Sequence, residues 1–157
     1  MGRIVGLYVA GTDRPAQEAI YERARTVLQP TAPSRLACTF VCPTIEDAVE
    51  FAMTGAPRMN QWYAVEPVEP TPELFVATQT AWGMPTHAAK PWKESDFTAI
   101  CEEYWNGPAE HHREILYPGP LRVLSIDPIN DMCERLGREG RLIQTGGKVF
   151  LDDRPIG

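Results

Sequence analysis

LYPGPLR, residues 116–122, joins two runs of β-forming residues through a Pro-Gly-Pro turn and leaves no room for a helix between them. Spacing of this kind is more hairpin-like than strand-helix-strand. RIVGLYVA at 3–10 is rich in β-formers and ends at Gly-Thr-Asp, RLACTFVC at 35–42 ends at Pro43, and Gln61–Glu69 alternates around Trp62, Ala64 and Val65. After the Pro-Gly-Pro turn, Leu121, Val123 and Ser125 alternate with Arg122, Leu124 and Ile126, an apolar pattern that predicts a central strand. GRLIQTGGKVFLDDRPIG predicts a terminal hairpin around Gly146-Gly147.

Helical stretches fall between these runs. Pro15 opens PAQEAIYERARTVLQ, where Ala16, Ala19, Ile20, Ala24 and Val27 recur at helical spacing. Thr44 with Asp47 resembles a capping box at the head of IEDAVEFAMTG, and Gly55 is a stop. SDFTAICEEYW predicts a helix capped by Ser95, with Phe97, Ile100, Cys101 and Tyr104 on one stripe and Asn106-Gly107-Pro108 at its end. INDMCERLGREG predicts a short helix stopped by glycine. The Pro- and Trp-rich stretch from Pro67 to Trp92 is long enough to serve as a lid or binding segment, or else to pack as an excursion through Trp82 and Trp92. The order of elements predicts an α+β fold, with residues 1–157 as one domain.

A formal charge of -6 does not favour passive adhesion to nucleic acid, whose affinity comes from neutralising phosphates with Lys and Arg. No apolar run approaches the roughly 20 residues that span a bilayer, and MGRIVGLYVAGTDR lacks a signal peptide's apolar core, so a cytoplasmic location is expected. Cys38, Cys42, Cys101 and Cys133 form no paired CxxC clusters, which points to reduced, packed thiols and no metal site. His111 and His112 are adjacent, so on a strand they point to opposite faces and do not chelate together.

Three separated pieces carry chemistry. Phe40 and Phe51 stand eleven residues apart in TFVCPTIEDAVEFA, residues 39–52, with Ala48 opening the step to the second ring. Glu114 precedes Ile115-Leu116 at a strand start, where a solvated carboxylate is the ordinary expectation. Gly11-Thr12 follows the first strand. In this order and spacing the chain, from about Leu7 to Ile126, resembles the ADP-ribosyltransferase-like superfamily, nearer its diphtheria-toxin and poly-ADP-ribose-polymerase branch and closest to small bacterial and phage members.

The resemblance implies a split β-sheet core flanked by short helices, and NAD as substrate. Phe40 and Phe51, following Thr39, would sandwich nicotinamide, a flat ring suited to an aromatic face, or else pack as core partners. Gly11 and Thr12 would clasp the carboxamide. Ala10 stands where the family has His, so Arg35, or Arg3 as a fallback, becomes the candidate for the diphosphate. Glu114 would stabilise the cationic ribose formed as nicotinamide leaves. His112 occupies the position, two residues earlier, that helps the family choose its acceptor. Trp105, in the turn Tyr104-Trp105-Asn106-Gly107, is a candidate contact platform if exposed.

The implied activity is mono-ADP-ribosylation of a macromolecule by a monomer or small homo-oligomer, with protein favoured over nucleic acid as acceptor. The arginines of RLGREGR at 135–141 keep nucleic acid open. NAD hydrolysis, or binding of NAD or protein without turnover on the same scaffold, are the alternatives.

Overall fold

The computed structural model describes residues 4–9, 15–54, 61–69, 74–78, 94–145 and 148–156. The chain runs β1 (Ile4–Val9), α1 (Pro15–Leu28), a 3-10 turn (Arg35–Ala37), β2 (Thr39–Cys42), α2 (Ile45–Thr54), β3 (Trp62–Pro67) and β4 (Phe75–Thr78). A second 3-10 turn (Glu94–Phe97) leads into α3 (Thr98–Asn106), followed by β5 (Arg113–Tyr117), β6 (Leu121–Asp127), α4 (Ile129–Arg138), β7 (Leu142–Thr145) and β8 (Lys148–Leu151). The class is α+β, and every strand pair among the described residues is antiparallel. No helix of the described residues is long and apolar enough to cross a membrane.

Six strands form one sheet in the order β4-β5-β2-β1-β3-β6, and β7 and β8 form a separate hairpin. The turn at 118–120 therefore joins two strands that do not pair with each other: β5 lies between β4 and β2, and β6 lies beside β3. The expectation of a central sixth strand is corrected, because β6 is an edge strand with Val123, Leu124 and Ile126 exposed. Apolar residues on both faces read as burial on both faces, but the pattern carries no information about which neighbours the strand finds. A register shift against β3 between Ala64 and Val65 bends the ladder there, as a bulge does.

Strand alternation divides the core. Phe40 and Leu116, paired across β2 and β5, face a cluster with Ile20 and Tyr21 of α1 and Cys101, Tyr104 and Trp105 of α3. Farther along the sheet, Cys42 and Trp62 face Ala48 and Val49 of α2 and Ile129, Cys133 and Leu136 of α4. Val41, Val65, Ile115 and Tyr117 pack together as a third cluster.

Local signals account for several boundaries. The Asp47 N–H donates to Thr44 Oγ1 at 3.1 Å, so Thr44 caps α2, and the return bond to Asp47 Oδ2 comes from the Thr44 hydroxyl at 2.5 Å. Gly107 ends α3 with its N–H on the Glu103 carbonyl, at a site where a Cβ would come within 2.2 Å of that oxygen. Ser95 does not cap α3, since it lies inside the preceding 3-10 turn and Phe97 holds the cap position without a side-chain bond. In α1, Val27 is exposed while Tyr21 is buried, which rotates the core stripe from the one that the alanines suggest. Residues 35–37 wind as a 3-10 turn capped by Ser34, so the second strand starts four residues later than its composition implies.

Candidate functional site

Glu114 is the second residue of β5, between β2 and β4, and Ala77 of β4 is its cross-strand partner. Its alternation with Ile115 turns it toward the helices, on the face that carries Leu116 and Phe40. It is only 3% exposed. A carboxylate this deep needs partners, and the 3-10 turn and α3 supply them.

Arg35 supplies the charge. Its 3-10 turn aims the side chain inward, and the guanidinium Nη1 donates to Glu114 Oε1 at 2.8 Å. The other side of the fork is held by Glu18 of α1: Nε donates to Oε2 at 2.8 Å and Nη2 to Oε1 at 2.9 Å. The Tyr104 hydroxyl of α3 closes the ring, accepting from Arg35 Nη1 and donating to Glu114 Oε1. Three aromatic rings surround the cation, with Phe40 4.5 Å, Tyr21 4.9 Å and Tyr104 4.9 Å from the guanidinium carbon.

The electrostatics follow from this enclosure. Burial alone pulls the Arg35 guanidinium down, but Tyr104, Glu18 and Glu114 outweigh it and hold the group well above the ordinary arginine range. Burial pushes the Tyr104 phenol well above its ordinary value, so it remains a donor. Tyr21 is likewise raised, chiefly by burial, yet its hydroxyl has no hydrogen-bond partner among the described residues.

A second polar cluster sits at the head of β5. The Arg113 N–H and guanidinium donate to Asp47, at 3.0 Å to Oδ1 and 2.9 Å to Oδ2, tying the strand to the start of α2. Glu50, on the next turn of α2, accepts from the Leu151 N–H at 3.2 Å and the His112 N–H at 3.4 Å. Both imidazoles approach it, His111 Nδ1 at 3.9 Å and His112 Nε2 at 3.8 Å. His112 has φ 49° and is buried edge-on against Phe150, whereas His111 is 58% exposed along its side chain. The two residues precede β5 rather than lie on a strand, and both rings turn to Glu50 and Phe150, which corrects the expectation that they point to opposite faces.

Burial raises the Glu50 carboxyl above its ordinary 4.5, against the N–H groups of Leu151 and His112 and the charge of His111, which lower it, while Asp47 adds to the rise. A folded-state value above the unfolded one means that the native protein keeps this proton longer, so stability falls as pH rises through that window. Glu50→Gln, which cannot titrate, is expected to gain on wild type in urea midpoint from about pH 4.5 upward. A difference between the two that does not change with pH removes Glu50 as the source.

The predicted residues distribute unevenly. Glu114, Arg35 and Phe40 meet in the buried cluster, and Thr39, which opens β2, pairs with Val9 and Tyr117. Phe51 belongs to the other helical cluster, edge-on to Trp62 at 5.9 Å, so Phe40 and Phe51 do not sit in one packed group. Gly11 and Thr12, with Arg3, lie outside the described residues, as do Gly146-Gly147 and most of the Pro67–Trp92 stretch.

Trp105 is buried, its Nε1 donating to the Tyr21 carbonyl at 3.1 Å, which corrects its candidacy as an exposed platform. Arg141 is also buried and bonded to Asp152 and the carbonyls of Arg154 and Pro155. All four cysteines are buried and none is in a disulfide among the described residues, and burial pushes Cys38 up to about 11.

Sequence reasoning did not single out Glu18 or Tyr21. Their signal is a helical carboxylate three residues before a tyrosine, a spacing that puts both on one face of α1.

No curated protein matches the chain. A family model described as a protein of unknown function, DUF2441, matches residues 3–131, which takes in all six strands of the main sheet, the whole buried cluster and the first turn of α4. The match covers most of the 157 residues and stops before the β7–β8 hairpin, and the chain therefore belongs to the DUF2441 family.

Proposed function

We propose that the protein is an NAD-consuming mono-ADP-ribosyltransferase built on an ADP-ribosyltransferase-like split sheet, with Glu114 as its catalytic carboxylate. The observation that carries this reading is strand order. β5 with Glu114, β2 with Thr39 and Phe40, and β1, which leads to Gly11-Thr12, are consecutive neighbours in the sheet although they are far apart in sequence. Two motifs chosen for their chemistry, Glu114 and Thr39-Phe40, thus lie on adjoining strands, and the third follows the next strand, β1, in sequence.

In the reaction, the bond between ribose C1′ and the nicotinamide nitrogen breaks with its electron pair leaving on nitrogen, which neutralises the pyridinium. Positive charge passes to the sugar. Glu114, fixed by Arg35 and Tyr104, stabilises that charge without having to reorganise. An acceptor oxygen or nitrogen then bonds to C1′ and releases its proton. With both edges of its fork committed to carboxylates, Arg35 orients Glu114 in this scheme, and binding of the diphosphate falls to other groups. His112, between Glu50 and Phe150, supports the head of β5.

A second reading, a non-catalytic binding module on the same scaffold, is favoured by the low exposure of Glu114 and its bonds to Arg35 and Tyr104. Labelled NAD in a cell lysate separates the readings. Transfer predicts label that sediments with macromolecules and is released by protease rather than nuclease. Label recovered only as free ADP-ribose identifies hydrolysis, and intact NAD supports the binding module.

A further inference from the structure

Two donors converge on one oxygen of Glu114. Arg35 Nη1 and the Tyr104 hydroxyl both bond Oε1, and they also bond each other. The terminal torsion of a glutamate is soft, so each donor lost loosens the hold on the carboxylate plane. Donors approaching from the 3-10 turn and from α3 fix that plane relative to the sheet. Glu18 holds the far edge of the guanidinium, which keeps Arg35 from following Glu114 if the carboxylate moves.

The same cage contains a built-in control. Tyr21 and Tyr104 are both 1% exposed, both stand 4.9 Å from the guanidinium carbon, and their rings meet edge-on at 5.1 Å. Their hydroxyls differ: that of Tyr104 bonds Glu114, and that of Tyr21 has no hydrogen-bond partner among the described residues. Removing one oxygen from either ring makes a nearly equal change in volume and a very different change in the carboxylate's surroundings.

We propose that Tyr104 is a positioning residue that sets the plane of the Glu114 carboxylate toward the cationic ribose formed as the nicotinamide–ribose bond breaks. The proposal rests on the reading of Glu114 as the group that acts on NAD. Tyr104 touches no substrate in this scheme, and its effect passes through Glu114.

The experiment compares wild type, Tyr104→Phe and Tyr21→Phe in three readouts: steady-state nicotinamide release, thermal unfolding, and the carbon-13 signal of the Glu114 side-chain carboxyl in labelled protein. Tyr104→Phe is expected to lower kcat roughly tenfold or more, with KM for NAD within about twofold of wild type. Its Glu114 carbon signal moves. Tyr21→Phe keeps the wild-type kcat and leaves that signal in place. The proposal is overturned if Tyr104→Phe retains wild-type kcat, or if the two variants lose activity equally, which would make the effect one of packing. Should wild type release no nicotinamide, the NAD reading fails, and the positioning claim is decided by the carbon signal alone. A signal that moves only in Tyr104→Phe upholds it, and one that moves in both variants or in neither overturns it.

Discussion

Arg35→Met lowers the stability of the protein by about 3–5 kcal/mol, the cost of removing one partner from a buried ion pair and leaving the other charge uncompensated. Here two carboxylates lose their guanidinium at once, Glu18 and Glu114, in a site where Arg35 is 1% exposed. In a chain of this length the loss corresponds to a drop in Tm on the order of 10 °C. Methionine fills much of the volume, so the effect is electrostatic and not a cavity. Adding Glu18→Gln and Glu114→Gln to Arg35→Met is expected to restore part of the loss, because the buried charges are then gone. The Arg122–Glu66 pair is a useful contrast: it is as short, at 2.7 Å, but its side chains are 60% and 44% exposed, and Arg122→Met is expected to cost well under about 1 kcal/mol. Equal losses for the two arginine variants in urea unfolding would show that the buried cluster adds nothing beyond a surface pair.

The outline of this architecture is written in local sequence. Short β-rich runs closed by Pro and Gly mark the strands, and Thr44 with Asp47 specifies the start of α2 through bonds between near neighbours, whereas the pairing of the strands joins segments far apart in the chain. What lies beyond is set by partners remote in the chain. Arg35 reads as a surface arginine or a phosphate ligand until Glu18, seventeen residues away, and Glu114, seventy-nine away, are brought to it. β6 reads as central because Val123, Leu124 and Ile126 are apolar, and only the strand order places it at the edge. Trp105 reads as a platform in a turn, yet the carbonyl of Tyr21 on another helix receives its indole N–H and draws it inside. Glu114 is the residue for which the sequence is most specific and the environment least foreseen, since a strand-start glutamate is ordinarily solvated.

The second large effect concerns that residue. Glu114→Gln keeps the shape of the side chain and an oxygen that can accept from Arg35 Nη1 and Tyr104, while removing the charge. Glu18 still holds Arg35 through two bonds, so the guanidinium is not stranded and the fold loses less than in Arg35→Met. Activity responds differently. A preorganised charge facing a developing cation acts mainly in the transition state, and its removal is expected to lower kcat by roughly a hundredfold or more with a smaller change in KM. The decisive measurement is nicotinamide release from NAD by purified wild type and Glu114→Gln, with a cell lysate present and thermal unfolding of both proteins recorded alongside. The account predicts release by wild type and its near-complete loss in a Glu114→Gln protein that remains folded. Wild type that leaves NAD intact, or a folded Glu114→Gln protein that turns it over at the wild-type rate, contradicts it.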